Sequence, residues 1–170
     1  LKTTRLAEAR FLRAFYLWHI VETWGGVHLT TEESIGLVTT ANRTSVEDFY
    51  KLIFEDLQFA VDNLAPTSPQ YGRVTKPAAE AFMARMHLYR KNYPEAARLS
   101  KKVISDYSFS LVPNYANLWS ISNVKNSEIV WHVNFTADLI LNREFDGPTA
   151  RTDDDILLRD GGNNTHLFFL

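Results

Sequence analysis

Six aromatic residues, Trp24, Tyr71, Tyr115, Trp119, Phe135 and Phe145, fall in or beside segments that no helical core face claims. A ring presented by a loop can stack on the apolar face of a sugar while a nearby Asn, Asp or Arg bonds its hydroxyls. Trp24, Tyr71, Phe135, Arg143, Phe145 and Asp146 are the candidate ligand contacts on that chemistry. Any one such ring is more often a plug beneath a loop, so the signal lies in their number and not in a single position.

Catalytic chemistry finds less support. Gly25-Gly26 and Gly161-Gly162 lack the spacing and the following Lys-Ser/Thr of a phosphate loop and read as turns. No two of the five histidines stand four apart with a Glu between them, which excludes a helical zinc-protease site. Asp153-Asp154-Asp155 offers hard oxygen ligands but lacks the alternation and the distant Glu of a calcium loop, so a solvated loop is the better reading. Glycoside hydrolysis needs two carboxylates fixed across a sugar, and no pair is singled out. The chain contains no cysteine, hence no thiolate nucleophile or disulfide framework. Its net charge of -2, with the basic residues dispersed, provides no footprint for nucleic acid. No cofactor is called for, and a non-enzyme is expected.

The elements that position these residues are mainly α-helical. A first helix over about 4–23 carries Ala7, Phe11, Ala14, Phe15, Trp18 and Val21 on one face with Leu12, Tyr16 and Ile20 beside them, an apolar arc wide enough to predict burial on two sides. Gly25 stops it. Thr44-Ser45-Val46-Glu47 reads as a capping box opening a second helix. Its core face is Val46, Phe49, Tyr50, Ile53, Leu57, Ala60, Val61 and Leu64, with Glu47, Asp48, Lys51, Glu55, Asp56 and Asp62 opposite. Glu8, Arg10 and Arg13 are expected to form a partly buried ion network between helices. Residues 75–107 read as a tetratricopeptide-like hairpin: Thr75 and Pro77 open one helix, Arg90-Lys91-Asn92 is the turn, and Pro94 starts the partner, where Ala96, Ala97, Ser100, Val103, Ile104 and Tyr107 recur at helical spacing. Phe11, Phe15, Tyr16, Trp18, Phe49, Tyr50, Phe82 and Tyr89 are the expected core aromatics. Beyond residue 108, Tyr115 to Trp119 predicts a single turn, 128–133 has strand composition, and 134–164 reads as loop. Residues 1–170 are expected to form one domain, helical to 108 and strand- and loop-rich from 109. No apolar run reaches the roughly 20 residues of a membrane helix.

Four blocks in order resemble the SusD/RagB family of outer-membrane nutrient-binding lipoproteins. The first is EARFLRAFYLWHIVETWGGVHL, with Glu8, Arg10, Phe11, Leu12, Arg13, Ala14, Tyr16 and Gly25 at the family positions. The second runs through Arg43, Thr44, Val46, Tyr50, Ile53, Asp56, Leu57, Ala60 and Leu64. The third is Gly72-Arg73-Val74-Thr75-Lys76 with Ala78 and Ala79, and the fourth is Asn126-Ser127-Glu128-Ile129-Val130. His28 stands where Pro is usual, and Trp131 where Phe or Tyr is common. The resemblance implies a SusD-like helical scaffold with tetratricopeptide-like hairpins that is not a catalyst. It further implies a cell-surface protein of the outer membrane that binds an oligosaccharide, or sometimes a peptide, and serves a SusC-like TonB-dependent transporter. Family members are longer and carry a lipid-anchored N-terminal Cys, so this chain is expected to be a fragment beginning downstream of that anchor. The alternative is a tetratricopeptide-type protein-interaction scaffold without glycan binding, which would need regular repeats in succession where strand and loop composition follows.

Overall fold

The computed structural model describes residues 2–33, 35, 36, 40, 42–120, 123, 125–133 and 167–169. Their elements are α1 (Lys2–Trp24), α2 (Val46–Asn63), α3 (Lys76–Tyr89), α4 (Tyr93–Asp106), a single turn α5 (Tyr115–Leu118), β1 (Ile129–His132) and β2 (Leu167–Phe169). Each of the four long helices packs on the next in sequence, as in a helical-hairpin stack. Strand β1 pairs antiparallel with β2, with Trp131 opposite Phe168, His132 opposite Leu167 and a register shift between Ile129 and Trp131. The predicted strand is present, whereas its partner at the end of the chain carried no recognisable signal. The loop reading of 134–164, and with it Asp153 to Asp155, lies outside the described residues.

Helix boundaries follow local chemistry. Gly25 at φ 69° takes the left-handed position after α1, its N–H bonding the Val21 carbonyl at 2.9 Å. Gly26 answers a different need, because a Cβ there would lie 2.2 Å from the Thr44 carbonyl oxygen, where the chain returns to start α2. The cap of α2 is displaced by one residue from the expected box. Ser45, not Thr44, is the N-cap: its hydroxyl accepts from the Asp48 N–H at 3.1 Å and donates to the Asp48 carboxylate at 2.7 Å. Between α3 and α4 the Asn92 N–H reaches the His87 carbonyl at 2.8 Å and the Lys91 N–H reaches the Leu88 carbonyl at 3.0 Å. This is a Schellman closure with Lys91, at φ 59°, where Gly is usual.

The core is the set of faces these helices turn inward. Phe11, Phe49, Phe82, Ile53, Leu57 and Met86 are fully buried, and Phe11 and Phe15 from α1 meet Phe82 of α3 at ring separations of 5.7 Å. Ala78, Ala79 and Ala84 are buried along α3, where short side chains let α4 approach. Several expected faces are corrected. Tyr16 is 62% exposed and Tyr89 49%, so neither belongs to the core, and Leu12 is exposed as well. The second apolar side of α1 is therefore not buried among the described residues. In α4 the inward residues are Ala96, Leu99 and Val103, while Ala97, Ser100 and Ile104 face outward, a rotation that the Ala-rich pattern did not reveal.

Asp56 is the largest correction. Placed on the outer face by helical spacing, it is wholly buried. Its carboxylate accepts from Arg13 Nε at 2.6 Å and Nη2 at 2.7 Å, a bidentate bond from α1 to α2, with Arg10 Nε 3.9 Å away. The bond to Asp56 raises the pKa of the Arg13 guanidinium, against the opposing effect of burial. Glu80 is the matching case in the hairpin: fully buried, it accepts from Lys102 Nζ at 2.6 Å and from the Tyr107 hydroxyl at 2.8 Å. Of the expected network, Arg10 and Arg13 meet at Asp56 between α1 and α2, whereas Glu8 pairs separately with Arg5 and Arg73.

Removing Arg13 leaves a buried carboxylate without its bidentate partner. Arg13→Ala is expected to cost about 3 kcal/mol in urea unfolding, the low end for a buried pair because water reaches the guanidinium. The double replacement of Arg13 by Met and Asp56 by Leu should recover most of that loss, and a double variant no more stable than the single one would show that packing, not charge, sets the site. At the hairpin turn, Lys91→Gly should raise stability by roughly 0.5–1 kcal/mol in the same assay.

Candidate ligand-binding cleft

The uncovered side of α1 forms one wall of a cleft of about 680 Å³. Leu12 and Tyr16 project from α1; the connector between α2 and α3 contributes Gln70, Tyr71 and Arg73; β1 supplies Trp131 and His132 as the inner wall. Each wall has a local cause. Pro66 and Pro69 prevent α2 from continuing, and Gly72 at φ 83° turns the connector so that Arg73 faces α1. Trp131 stands edge-on to Phe11 at 5.1 Å and to Phe15 at 5.5 Å, and its indole N–H donates to the Gly72 carbonyl at 3.1 Å. That bond joins the strand to the connector and sets the depth of the cleft.

The polar groups are held in a relay. Glu8 of α1 accepts from Arg73 Nε at 2.7 Å and from Arg73 Nη2, and Arg5 lies against the same carboxylate at 3.2 Å. Arg73 Nη1 in turn donates to Gln70 Oε1 at 3.3 Å. With its amide oxygen accepting from Arg73, Gln70 keeps its NH2 group as a donor. Tyr71 is 43% exposed; its ring lies 4.5 Å from that of His132, and the Lys125 ammonium sits 4.5 Å over it. Burial of its inner edge pushes the Tyr71 phenol up, keeping it neutral at physiological pH.

Of the two candidate contacts among the described residues, Trp24 and Tyr71, Tyr71 lines this cleft. Trp24 is 64% exposed at the end of α1, eight residues and about 12 Å along the helix from Tyr16, and does not line it. Phe135, Arg143, Phe145 and Asp146 lie outside the described residues. Tyr16, Gln70, Arg73, Lys125 and His132 were not singled out as contacts. Tyr16 had a readable signal, since an apolar arc too wide for one neighbour leaves its edge residues to line a cleft. Tyr115 and Trp119 form a second exposed aromatic pair at 5.8 Å on α5.

A shallower groove of about 560 Å³ crosses α1, α2 and α3 on another face. There Arg10 lies 4.2 Å over the Phe59 ring, and His87 stacks on Phe54 at 4.4 Å. Among the described residues no three metal-ligating side chains converge. No described helix is long and apolar enough to cross a membrane.

Comparisons with known proteins extend the picture. A SusD-like family model described as "starch-binding associating with outer membrane" matches residues 2–88. SusD-like protein P25 of Formosa agariphila is 33% identical over 137 residues, which is 79% of this chain and 26% of that protein. The crystal structure of a SusD-like protein from Bacteroides fragilis superposes with a TM-score of 0.74 at 29% identity, covering 84% of this chain and 29% of that one. A structure titled laminarin binding SusD-like protein gives a TM-score of 0.72 at 29% identity, covering 76% and 30%. The chain spans about a quarter of the length of the curated relatives it matches.

Two changes test the local physics. Trp131→Phe keeps the ring contacts and removes the bond to Gly72, so a loss of about 1 kcal/mol in urea unfolding is expected. For pH, burial lowers the His87 pKa below its ordinary 6.5, with Glu95 opposing and Arg98 adding a smaller effect. The unfolded chain then binds the proton more readily, so stability should fall as pH drops through about 6.5. His87→Gln should flatten that part of the stability profile, and an unchanged slope would assign it to other groups.

Proposed function

Because the chain belongs to the SusD-like family of starch-binding proteins associated with the outer membrane, we propose that it is part of a non-catalytic cell-surface receptor for oligosaccharides. The single observation that carries this reading is the family match across 2–88, which includes α1, α2 and nearly all of α3. The cleft supports it. Tyr16 and Tyr71 expose rings from two walls, and polar side chains fixed by the relay lie between them, the combination that sugar recognition uses. Among the described residues no carboxylate lines the cleft, and Glu8, bonded to the lining Arg73, is also engaged by Arg5. The captured oligosaccharide would pass to a SusC-like TonB-dependent transporter, with the protein held at the membrane surface by a lipid anchor. The helical stack is the frame, and the proposed contacts include Trp24, Tyr71, Phe135, Arg143, Phe145 and Asp146.

Calorimetry against a panel of soluble oligosaccharides should give saturable binding without release of reducing ends. Tyr71→Ala should weaken it about tenfold, the order expected for loss of one stacking ring. Turnover that disappears when one carboxylate is changed would overturn the non-catalytic reading.

A further inference from the structure

We infer that the shallower groove along α2 is a docking site for an amphipathic helix of a partner protein, one that carries Lys or Arg seven residues apart on either side of an apolar anchor. The groove is separate from the cleft, and its use goes beyond the receptor reading. Its floor is apolar: Phe54 and Phe59 of α2 and Met83 of α3 pack on the core and are only partly buried. Arg10 covers the Phe59 ring at 4.2 Å, and His87 lies against the Phe54 ring at 4.4 Å. One face of each ring is thus occupied, and Met83, flexible and polarizable, adapts its shape to an apolar side chain set beside them.

The rim on α2 is acidic. Glu55 and Asp62 line the groove and are exposed, and Asp62 accepts from the neutral Gln58 amide at 2.9 Å. Arg10, the lining cation, has the buried Asp56 carboxylate 3.9 Å away, so two exposed carboxylates face a partner against one guanidinium already drawn to a third. Such a rim favours a cationic partner. Spacing selects its conformation. Glu55 and Asp62 stand seven residues apart in α2, two turns and about 10 Å along one face. A second helix laid beside α2 repeats on the same period, so cations seven apart reach both carboxylates while an apolar residue between them meets the floor. An extended strand, rising about 3.3 Å per residue, spans the same gap in three residues, which puts its two side chains on opposite faces.

The test is fluorescence anisotropy with synthetic helical peptides of about 14 residues, roughly four turns. The first carries two Lys seven apart on either side of a Leu, the second has both Lys replaced by Glu, and the third has the Leu replaced by Ala. The first should bind about tenfold more tightly than either of the others and weaken as salt is raised. Glu55→Gln together with Asp62→Asn should reduce that binding severalfold, while Glu32→Gln with Glu33→Gln, the same change of charge in the exposed segment after α1, should not. Circular dichroism melting shows that each variant is folded, and oligosaccharide calorimetry should be the same for both. Equal affinity for the Lys and Glu peptides, no binding of any peptide, or binding untouched by the groove variant overturns the inference. A groove variant that loses oligosaccharide binding, or self-association of the chain, assigns the groove to a sugar or to a second copy and overturns it as well. The receptor reading is decided separately, by the oligosaccharide panel.

Discussion

The burial of Asp56 between α1 and α2 is the constraint on which the arrangement depends. A carboxylate removed from water is tolerated only when its lone pairs are filled, and the fork of Arg13 fills both oxygens at once. That requirement fixes the rotation of α1 against α2 more tightly than apolar packing can, because apolar faces slide and a bidentate bond does not. With α1 locked, Phe11 and Phe15 point at Phe82 and Trp131, and the opposite edge, Leu12 and Tyr16, is left as a wall.

Carboxylates also tie the other junctions of the stack, buried at Glu80 and more exposed at Glu47. Glu8 ties α1 to the connector through Arg73; Glu22 accepts from the Tyr50 hydroxyl between α1 and α2; Glu47 meets Arg90 where α2 lies beside the end of α3; and Glu80 joins α3 to α4 through Lys102. Glu8, Arg13, Tyr50, Asp56 and Arg73, all among the residues that carry the family resemblance, are members of these bonds. They hold α1, α2 and the connector to α3 together. The Glu8–Arg73–Gln70 relay is where frame and cleft meet, because it secures α1 to the connector and holds the Gln70 amide oxygen.

Much of the helical frame was legible in the residues. Gly25, Pro77 and Pro94 mark boundaries through backbone geometry that any environment enforces, and the fully buried Phe49, Ile53 and Leu57 follow the 3.6-residue period. Errors arose where a choice depended on a neighbour. Ser45 and Thr44 are chemically equivalent caps, and the return of the chain past Gly26 selects one of them. Ala97 and Ile104 fit a core stripe as well as Leu99 does, until α3 takes its position. The cleft was less legible still: of its described lining residues, Tyr71 had been singled out as a contact, while Gln70 and Arg73 depend on how the connector meets α1.

The sequence by itself determined the helices, their order, the hairpin and the family, because these rest on local backbone preferences and on short patterns contained within single segments. Only the tertiary structure decided that Asp56 is buried, that Tyr16 is exposed, and that Gln70, Tyr71, Arg73 and Trp131 share one cleft. The reason is physical. Burial and convergence are properties of pairs of elements, and Trp131 reaches Gly72 across 59 residues of chain, a distance over which no periodicity carries information.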